Sequence, residues 1–241
     1  MVDRSGLLAL AQQVAPTTLA VQRCLPVDGV FDDLLPAGLA RGQRVALTGP
    51  GATSLALALA GRPSQGGSWV AVVGAAGLGL AAAEELGVRL DRLVVVDPPP
   101  TARWGATVAS LFDGFEIVIV APGHPVSARD DRRLSARARE EGAVVLQLAP
   151  SGQGRWPGAD VELAVDAVSW DGLGEGHGYL RGRRVTVRSG GRRGAARPRR
   201  LELWLPDPDG RLRPVTPGAA LSAEGALVPG DADPPRLSSV G

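Results

Sequence analysis

The fold of this 241-residue chain is indicated by one stretch, which reads Val45-Ala46-Leu47-Thr48-Gly49-Pro50-Gly51-Ala52-Thr53-Ser54-Leu55-Ala56-Leu57. It begins as an apolar strand, passes through a turn with two glycines and continues as a helix rich in alanine and leucine. This order is typical of a phosphate-binding loop, in which backbone N–H groups at the start of a helix face an anion.

The turn is too short to enclose a phosphate. The Walker A pattern has four residues between its first glycine and its Gly-Lys-Ser/Thr, whereas only Pro50 separates Gly49 from Gly51. The lysine position holds Ala52, and Thr53 follows it. On the residues alone, the alternative is a tight strand-to-helix turn with Thr53 near the start of the helix.

The composition excludes several kinds of chemistry. Lys and Arg together number 26, and because the chain contains no lysine, every one of them is arginine. A Schiff-base lysine, a catalytic ammonium group and a phosphate-binding lysine are therefore excluded. The single cysteine, Cys24, rules out a disulfide framework, and neither His124 nor His177 lies in a metal-ligand spacing. We expect no metal site and no cofactor.

Strand-like and helix-like segments alternate after Pro26. Short apolar runs favour a parallel sheet covered on both faces, and helices between them favour βαβ crossovers. The strands are expected at residues 44–48, 69–73, 93–96, 116–121 and 143–148, and the helices at 53–60, 78–86, 104–112 and 127–141. Later strands at residues 161–165, 180–188 and 201–205 have short connections and predict an antiparallel extension of the sheet.

These segments divide the chain into three parts. Residues 1–26 are expected to form an N-terminal helix and linker, residues 27–205 an α/β core domain, and residues 206–241 a flexible tail rich in proline and glycine. No apolar run approaches the roughly 20 residues that cross a bilayer, and the first residues lack a secretion signal. We therefore expect a cytoplasmic protein that does not contact a membrane.

Two passages resemble the RecA recombinase family. The first is Leu39-Ala40-Arg41-Gly42-Gln43 before the strand, together with Gly49-Pro50 after it and the helix opening Thr53-Ser54-Leu55-Ala56-Leu57. The second is Ala83-Glu84-Glu85-Leu86-Gly87-Val88-Arg89-Leu90-Asp91-Arg92-Leu93, with Pro98 where the family has a proline. The resemblance covers residues 27–205. It implies a RecA-like core, with a central, mostly parallel sheet flanked by helices.

The chain departs from the RecA pattern wherever that pattern binds and hydrolyses ATP. The strand at residues 70–73 ends in Gly74, without the family's acidic residues, and Ala121 stands where the Walker B aspartate is expected to organise Mg²⁺. Thr53 keeps the magnesium-binding hydroxyl, but one hydroxyl does not hold a metal. We therefore predict a RecA-like protein with no catalytic residues and no ATPase activity.

A RecA-like chain of this size with a degenerate loop resembles the ImuA-type mutasome accessory proteins of actinobacteria. This resemblance implies a role in damage-induced mutagenesis and translesion synthesis, in complex with ImuB, an inactive Y-family polymerase homologue, and an error-prone polymerase. It also implies association with the nucleoid when the protein is engaged, and it makes attachment of the C-terminal region to ImuB plausible. Formation of an oligomer is left open.

Arginines are concentrated near the end of the expected core. They are Arg181, Arg183, Arg184, Arg188, Arg192, Arg193, Arg197, Arg199 and Arg200. No acidic residue interrupts this cluster, so it could contact a polyanion. Three interpretations remain: a solvated loop, a protein interface, and direct but weak contact with DNA. The last leads to an alternative function, a regulator of recombination or cell division that binds DNA through a basic hairpin.

Two further features give local expectations. Trp156, in the segment Gly-Gln-Gly-Arg-Trp-Pro-Gly, is expected to be the most exposed of the five tryptophans. Asp130 and Asp131 open a helix, where their charges match the helix dipole.

Overall fold

A small antiparallel pair precedes the main sheet. It consists of β1 (Cys24–Leu25) and β2 (Leu39–Ala40), with a short 3-10 helix at Gly29–Phe31 between them. The computed structural model describes residues 23–75, 77–149, 156, 158–174, 177–190 and 198–215. The expected N-terminal helix and most of the expected tail lie outside these residues.

Five strands form the parallel part of the main sheet. They are β3 (Arg44–Thr48), β4 (Val70–Val73), β5 (Leu93–Val96), β6 (Ile117–Val120) and β7 (Val144–Ala149). Their spatial order is β3-β7-β6-β4-β5, and each neighbouring pair is parallel. Two strands match the sequence prediction to the residue, and the other three differ by one residue at one or both ends.

Helices cover both faces of this parallel sheet. Their bounds are α1 Ala52–Gln65, α2 Leu80–Glu85, α3 Thr101–Leu111 and α4 Ala128–Glu141, and a 3-10 helix spans Leu90–Arg92. Helices α1 and α2 pack on the face that carries Leu47 and Leu146, and α3 and α4 pack on the face that carries Val118 and Val145. The predicted α/β fold, with a mostly parallel sheet flanked by helices, is confirmed. None of the described helices combines the length and the apolar character that a bilayer crossing requires.

The antiparallel extension has four strands. They are β8 (Val161–Gly174), β9 (His177–Gly190), β10 (Arg200–Trp204) and β11 (Arg213–Pro214). Strand β8 is parallel to β3, and the strands then follow in antiparallel order β8-β9-β10-β11. The predicted antiparallel extension is thereby confirmed. Strand β11 lies beyond residue 205, where the sequence places the end of the core.

Strands β8 and β9 are much longer than the sequence predicts. Strand β3 pairs with β8 only as far as Ala164, and β10 pairs with β9 only from Arg184 onward. The backbone of Arg183 also bonds to Leu205 and Pro206, and the described part of the hairpin beyond it is paired only to itself and extends past the sheet. We call residues 170–174 of β8 and 177–183 of β9 the distal ribbon.

A buried polar cluster links β3 to α4. The carboxylate of Asp131 accepts hydrogen bonds from the guanidinium of Arg44 and from Nε1 of Trp156, the latter at 2.6 Å. The Trp156 ring packs edge-on against Trp104, with centroids 5.6 Å apart. Trp156 is only 3% exposed, so the prediction that it is the most exposed tryptophan is wrong. The carboxylate that satisfies its indole N–H comes from a helix distant in sequence.

Asp130 and Asp131 have different environments at the start of α4. The hydroxyl of Ser127 accepts a hydrogen bond from the backbone N–H of Asp130 at 3.1 Å and donates one to its carboxylate at 2.8 Å. Asp130 therefore belongs to the helix cap. Asp131 instead forms the buried ion pair with Arg44, a contact that the helix-dipole interpretation did not anticipate.

Gln147 is a polar exception among the apolar residues of β7. It is 2% exposed, and neither the nitrogen nor the oxygen of its amide group has a hydrogen-bond partner in the part of the chain that the structure describes. We expect Gln147→Leu to raise the free energy of unfolding by about 1 kcal/mol, because it removes a buried donor and acceptor that have lost their water. Urea denaturation measures this change. Gln43→Leu is the matched control and should destabilise, because its side-chain oxygen accepts a hydrogen bond from Ala40 at 3.0 Å. Lower stability of Gln147→Leu would contradict the prediction.

Candidate functional site

The turn after β3 runs directly into α1. Gly49 and Gly51 both have φ of 86°, a left-handed conformation that favours glycine. The backbone N–H of Ala52 bonds to the Gly49 carbonyl at 3.2 Å, and that of Leu55 bonds to the Gly51 carbonyl at 3.0 Å. Helix α1 therefore begins at Ala52, and Gly51 is its N-cap with no capping side chain. The backbone forms a tight turn, and the exposed Pro50 is its tip.

Strand β8 lies against this turn from one side. A side-chain carbon added to Gly49 would be 2.2 Å from the carbonyl oxygen of Val165. Real carbon atoms do not approach so closely, so the turn and β8 meet with no space between them. Thr53 is the second residue of α1, half-buried, and its side chain is not the helix cap.

The guanidinium of Arg183 lies over the start of α1. A side-chain carbon added to Gly51 would be 3.4 Å from Nη1 of Arg183 and 3.5 Å from its Cζ. Nε of Arg183 donates to the Leu205 carbonyl at 2.7 Å, and Cζ lies 5.3 Å from the centre of the Trp170 ring. Arg183 is thus held between the turn, the Trp170 ring and the carbonyl of Leu205, the residue after β10. A cation fills the space beside the helix N-terminus.

The charge of Arg183 is not neutralised by the residues around it. Burial lowers the pKa of its guanidinium below its ordinary value, and no carboxylate of the described residues raises it again. Within the described residues, its two terminal nitrogens make no hydrogen bond. The positive end of the helix dipole lies next to a positive side chain, which is electrostatically unfavourable. Trp170 offsets part of this cost through its ring face.

The ends of β4 and β6 carry no acidic side chain. Gly74 follows β4 and Ala121 follows β6, and a side-chain carbon added to Gly74 would be 2.6 Å from the Ala121 carbonyl oxygen. The backbone N–H of Ala121 bonds to Val73 at 2.9 Å. Gly74 and Ala121 thus lie side by side, at the same carboxyl edge of the parallel sheet as the turn at Gly49, with β7 between β3 and β6. Across the described ranges, no group of three or more potential metal ligands is present.

The arginine cluster does not form one patch. Arg192, Arg193 and Arg197 lie outside the described residues, and the remaining arginines are divided by the pleat of β9, since successive side chains point to opposite faces. Arg181 and Arg183 are on the face toward α1, while Arg184 and Arg188 are on the other face.

Several arginines of the cluster are already paired. Arg188 forms a double hydrogen bond with Asp166, at 2.8 and 3.0 Å, and Arg200 pairs with Glu202 at 3.0 Å. A further guanidinium, that of Arg199, donates to a backbone carbonyl at 2.8 Å. The sequence shows no acid within the cluster, but the sheet places acids from β8 and β10 beside it. The positive charge of this region is therefore lower than the sequence suggests.

Aromatic rings accompany three of the cluster's arginines. The guanidinium carbons of Arg181, Arg183 and Arg184 lie 5.4, 5.3 and 4.5 Å from the ring centres of Tyr179, Trp170 and Trp204, respectively. The sequence shows no aromatic residue between Tyr179 and Trp204, so this pairing was missed. Only the antiparallel pairing of β8, β9 and β10 brings Trp170 and Trp204 to the arginines.

The ion pair between Arg188 and Asp166 gives a pH prediction. The hydrogen bond from Arg188, followed by its charge, holds the pKa of Asp166 below its ordinary 3.8. Because the folded-state pKa is lowered, the pair stabilises the fold above the unfolded-state pKa, and this contribution is lost as pH falls through the folded-state pKa.

NMR titration of the carboxyl carbon should show the pKa of Asp166 rising toward 3.8 in Arg188→Gln. Arg200→Gln is the control and should raise it less, because Arg200 acts on Asp166 only through its charge. An unchanged pKa in Arg188→Gln would contradict the prediction.

Comparison with known proteins assigns the chain to a family. The profile of the MT3502 N-terminal domain matches residues 33–158. The uncharacterized protein Rv3395c of Mycobacterium tuberculosis is 34% identical over 143 residues, which are 58% of this chain and 67% of that protein. The crystal structure of the RadB recombinase superposes with a TM-score of 0.56 at 16% identity, covering 78% of this chain and 97% of that chain, which supports a RecA-like fold. The chain therefore belongs to the MT3502 N-terminal domain family and has a RecA-like core.

Proposed function

We propose that this protein is a non-catalytic RecA-like adaptor in DNA-damage-induced mutagenesis, which supports translesion synthesis by binding an ImuB-like inactive polymerase homologue. Three observations support the proposal: the RecA-like fold, shared with a protein described as a recombinase, the sequence resemblance to ImuA-type proteins, and the altered nucleotide region. The observation that carries it is the position of Arg183 against Gly51.

Arg183 stands where a nucleotide phosphate would approach α1. A phosphate at a helix N-terminus needs open space in front of the first backbone N–H groups. Here a guanidinium from the same chain lies in front of Gly51, fixed by Leu205 and Trp170. A nucleotide could enter only if Arg183 moved away from both partners.

Removing Arg183 would still leave no means of hydrolysis. Phosphoryl transfer relies on groups that stabilise charge on the transferred phosphate, and losing one such donor typically costs on the order of 10²–10³ in rate. The chain contains no lysine to bind the phosphates, and Ala121 and Gly74 provide no carboxylate for Mg²⁺ or for the attacking water. We therefore infer that the fold is retained for binding a partner.

The alternative, a DNA-binding regulator of recombination or cell division, has weaker support. Arg188 and Arg200 form ion pairs with Asp166 and Glu202, respectively, which partly neutralise their charge. Each such pair reduces the number of phosphates that the hairpin could neutralise, and that number sets non-specific affinity for DNA.

The proposal is tested by ATP hydrolysis and by partner binding, both with the full chain. We expect no Mg-ATP turnover above the buffer blank, with or without single-stranded DNA, and no turnover in Arg183→Ala, which opens the space beside Gly51. We expect co-purification with the ImuB-like protein of the source organism after co-expression. Hydrolysis that is lost in Thr53→Ala would overturn the non-catalytic assignment, and failure to co-purify would overturn the partner assignment.

A further inference from the structure

The distal ribbon presents side chains that nothing in the described structure covers. Tyr179 is 71% exposed and Leu180 is 50% exposed. Among the described residues, neither edge of the ribbon has a third strand beyond Arg183, because β3 pairs with β8 only nearer the sheet and the chain after β10 bonds to β9 no further out than Arg183. Exposed aromatic and arginine side chains are enriched where proteins bind one another.

One face of the ribbon carries a row of alternating rings and guanidinium groups. Tyr179, Arg181 and Arg183 follow one another at every second position of β9, so they share a face. Trp170 joins them from β8, where it is the direct partner of Arg183. The row leads from the exposed end of the ribbon to the turn at Gly51.

The two arginines of this row lack acidic partners among the described residues. This separates them from Arg188 and Arg200, which lie nearer the sheet and are paired with carboxylates. Asp171, the acidic residue of the described ribbon, is opposite Gly182 and so belongs to the other face. The row therefore offers two unneutralised cations next to two aromatic rings.

We propose that this face of the distal ribbon is the docking site for an acidic segment of the partner protein. Carboxylates of that segment bind Arg181 and Arg183 through the free N–H groups of the guanidinium planes, and an apolar side chain packs beside Tyr179 and Trp170. Arginine suits this task because its planar fork matches a carboxylate. The inference rests on the proposed adaptor function and names the surface and the partner chemistry for it.

A nucleic acid fits this face less well than an acidic peptide. Proteins that bind DNA chiefly through phosphates make roughly 6–10 such contacts, and this row supplies two cations. Base stacking needs free ring faces, but Tyr179 and Trp170 each have a guanidinium over the ring. A compact spot with two cations beside aromatic rings is closer to a protein-binding hot spot.

The test uses the full chain and two peptide probes of the same length that differ in charge. A fluorescent peptide of alternating glutamate and leucine should bind, and its glutamine-leucine counterpart should bind at least about tenfold more weakly, a difference of about 1.4 kcal/mol. Arg181→Glu and Tyr179→Ala should each weaken the acidic peptide by at least about tenfold. Leu180→Ser, on the opposite face of the same ribbon, is the matched control and should leave affinity unchanged. The double variant Arg132→Glu/Arg133→Glu reverses exposed charge on α4 and should also have no effect.

Thermal unfolding of each variant checks that the fold is kept. Equal binding of the two peptides, or equal loss in Leu180→Ser, would overturn the proposal. So would Arg181-dependent binding of oligo-dT without binding of the acidic peptide, which would assign the face to nucleic acid.

Co-purification with the ImuB-like protein separates this inference from the proposed function. If the wild-type chain binds that protein and Arg181→Glu binds it equally well, the docking site is wrong and the adaptor function stands. If the wild-type chain binds the acidic peptide through Arg181 but not the ImuB-like protein, the docking site stands and the proposed partner is wrong.

Discussion

Gly49→Ala is expected to lower the free energy of unfolding by about 4 kcal/mol, enough to unfold much of a domain of ordinary stability. Gly49 has φ of 86°, and a left-handed residue other than glycine costs roughly 1–2 kcal/mol by itself. The added carbon would also lie 2.2 Å from the backbone oxygen of Val165. Backbone atoms cannot rotate away as a side chain can, so β3 or β8 would have to shift.

Two other glycines separate the contribution of conformation from that of contact. Gly67 has φ of 104° with nothing within 4 Å of an added carbon, so Gly67→Ala should cost only the conformational part. Gly51→Ala should fall between the two, because its nearest neighbour is the movable end of Arg183 at 3.4 Å. Urea or guanidinium denaturation gives the three values. Equal losses at Gly49 and Gly67 would show that the turn and β8 are not in tight contact.

Asp131→Ala is expected to destabilise the protein by about 3 kcal/mol, the lower end of the cost of removing one member of a buried ion pair, because Asp131 keeps 22% of its side chain exposed. Arg44 has only 6% of its side chain exposed and would keep its charge without the carboxylate. Trp156 would also lose the acceptor of its indole N–H, which lies 2.6 Å from Asp131. The loss combines an uncompensated charge with an unsatisfied buried donor.

Asp130→Ala is the matched control for this variant. It removes an acidic residue from the adjacent position of the same helix, but the hydrogen bonds of Asp130 to other described side chains are those with Ser127 at the surface. We expect a loss of about 1 kcal/mol or less, the usual range for a helix cap. The denaturation midpoints of the two variants measure the two losses of stability. If both lose the same amount, the Arg44–Asp131–Trp156 cluster contributes no more than a surface cap.

Local signals located most of the parallel sheet. The apolar runs of β3 and β5 were predicted to the residue, because Gly49 follows the first run and Asp97-Pro98 follows the second, and both are turn signals. The lengths of β8 and β9 were underestimated, because the residues beyond the predicted strands include aspartates and several glycines, which are depleted in strands. These residues form strands because the hairpin pairs them with one another.

The sequence by itself determined which chemistry is absent from the nucleotide region. Residue identities and the spacing of Gly49, Gly51 and Thr53 are properties of the linear chain, so a missing lysine or carboxylate is known before folding. The order of strands and helices likewise follows from local periodicity, and the resemblance of residues 39–57 and 83–93 to the RecA family implies the RecA-like architecture.

Only the tertiary structure decided which side chains take the place of the missing lysine and carboxylates. Arg183 reaches Gly51, Trp170 meets Arg183, and Asp131 meets Trp156 because distant segments become neighbours in the sheet and its layers. Long-range contacts also pair Arg188 with a carboxylate and bury Trp156, although the residues next to each of them in the sequence suggest a free charge and an exposed ring. The neutralisation and the exposure of a side chain depend on what surrounds it in space. Contacts between distant segments cannot be predicted from the residues next to it in the sequence.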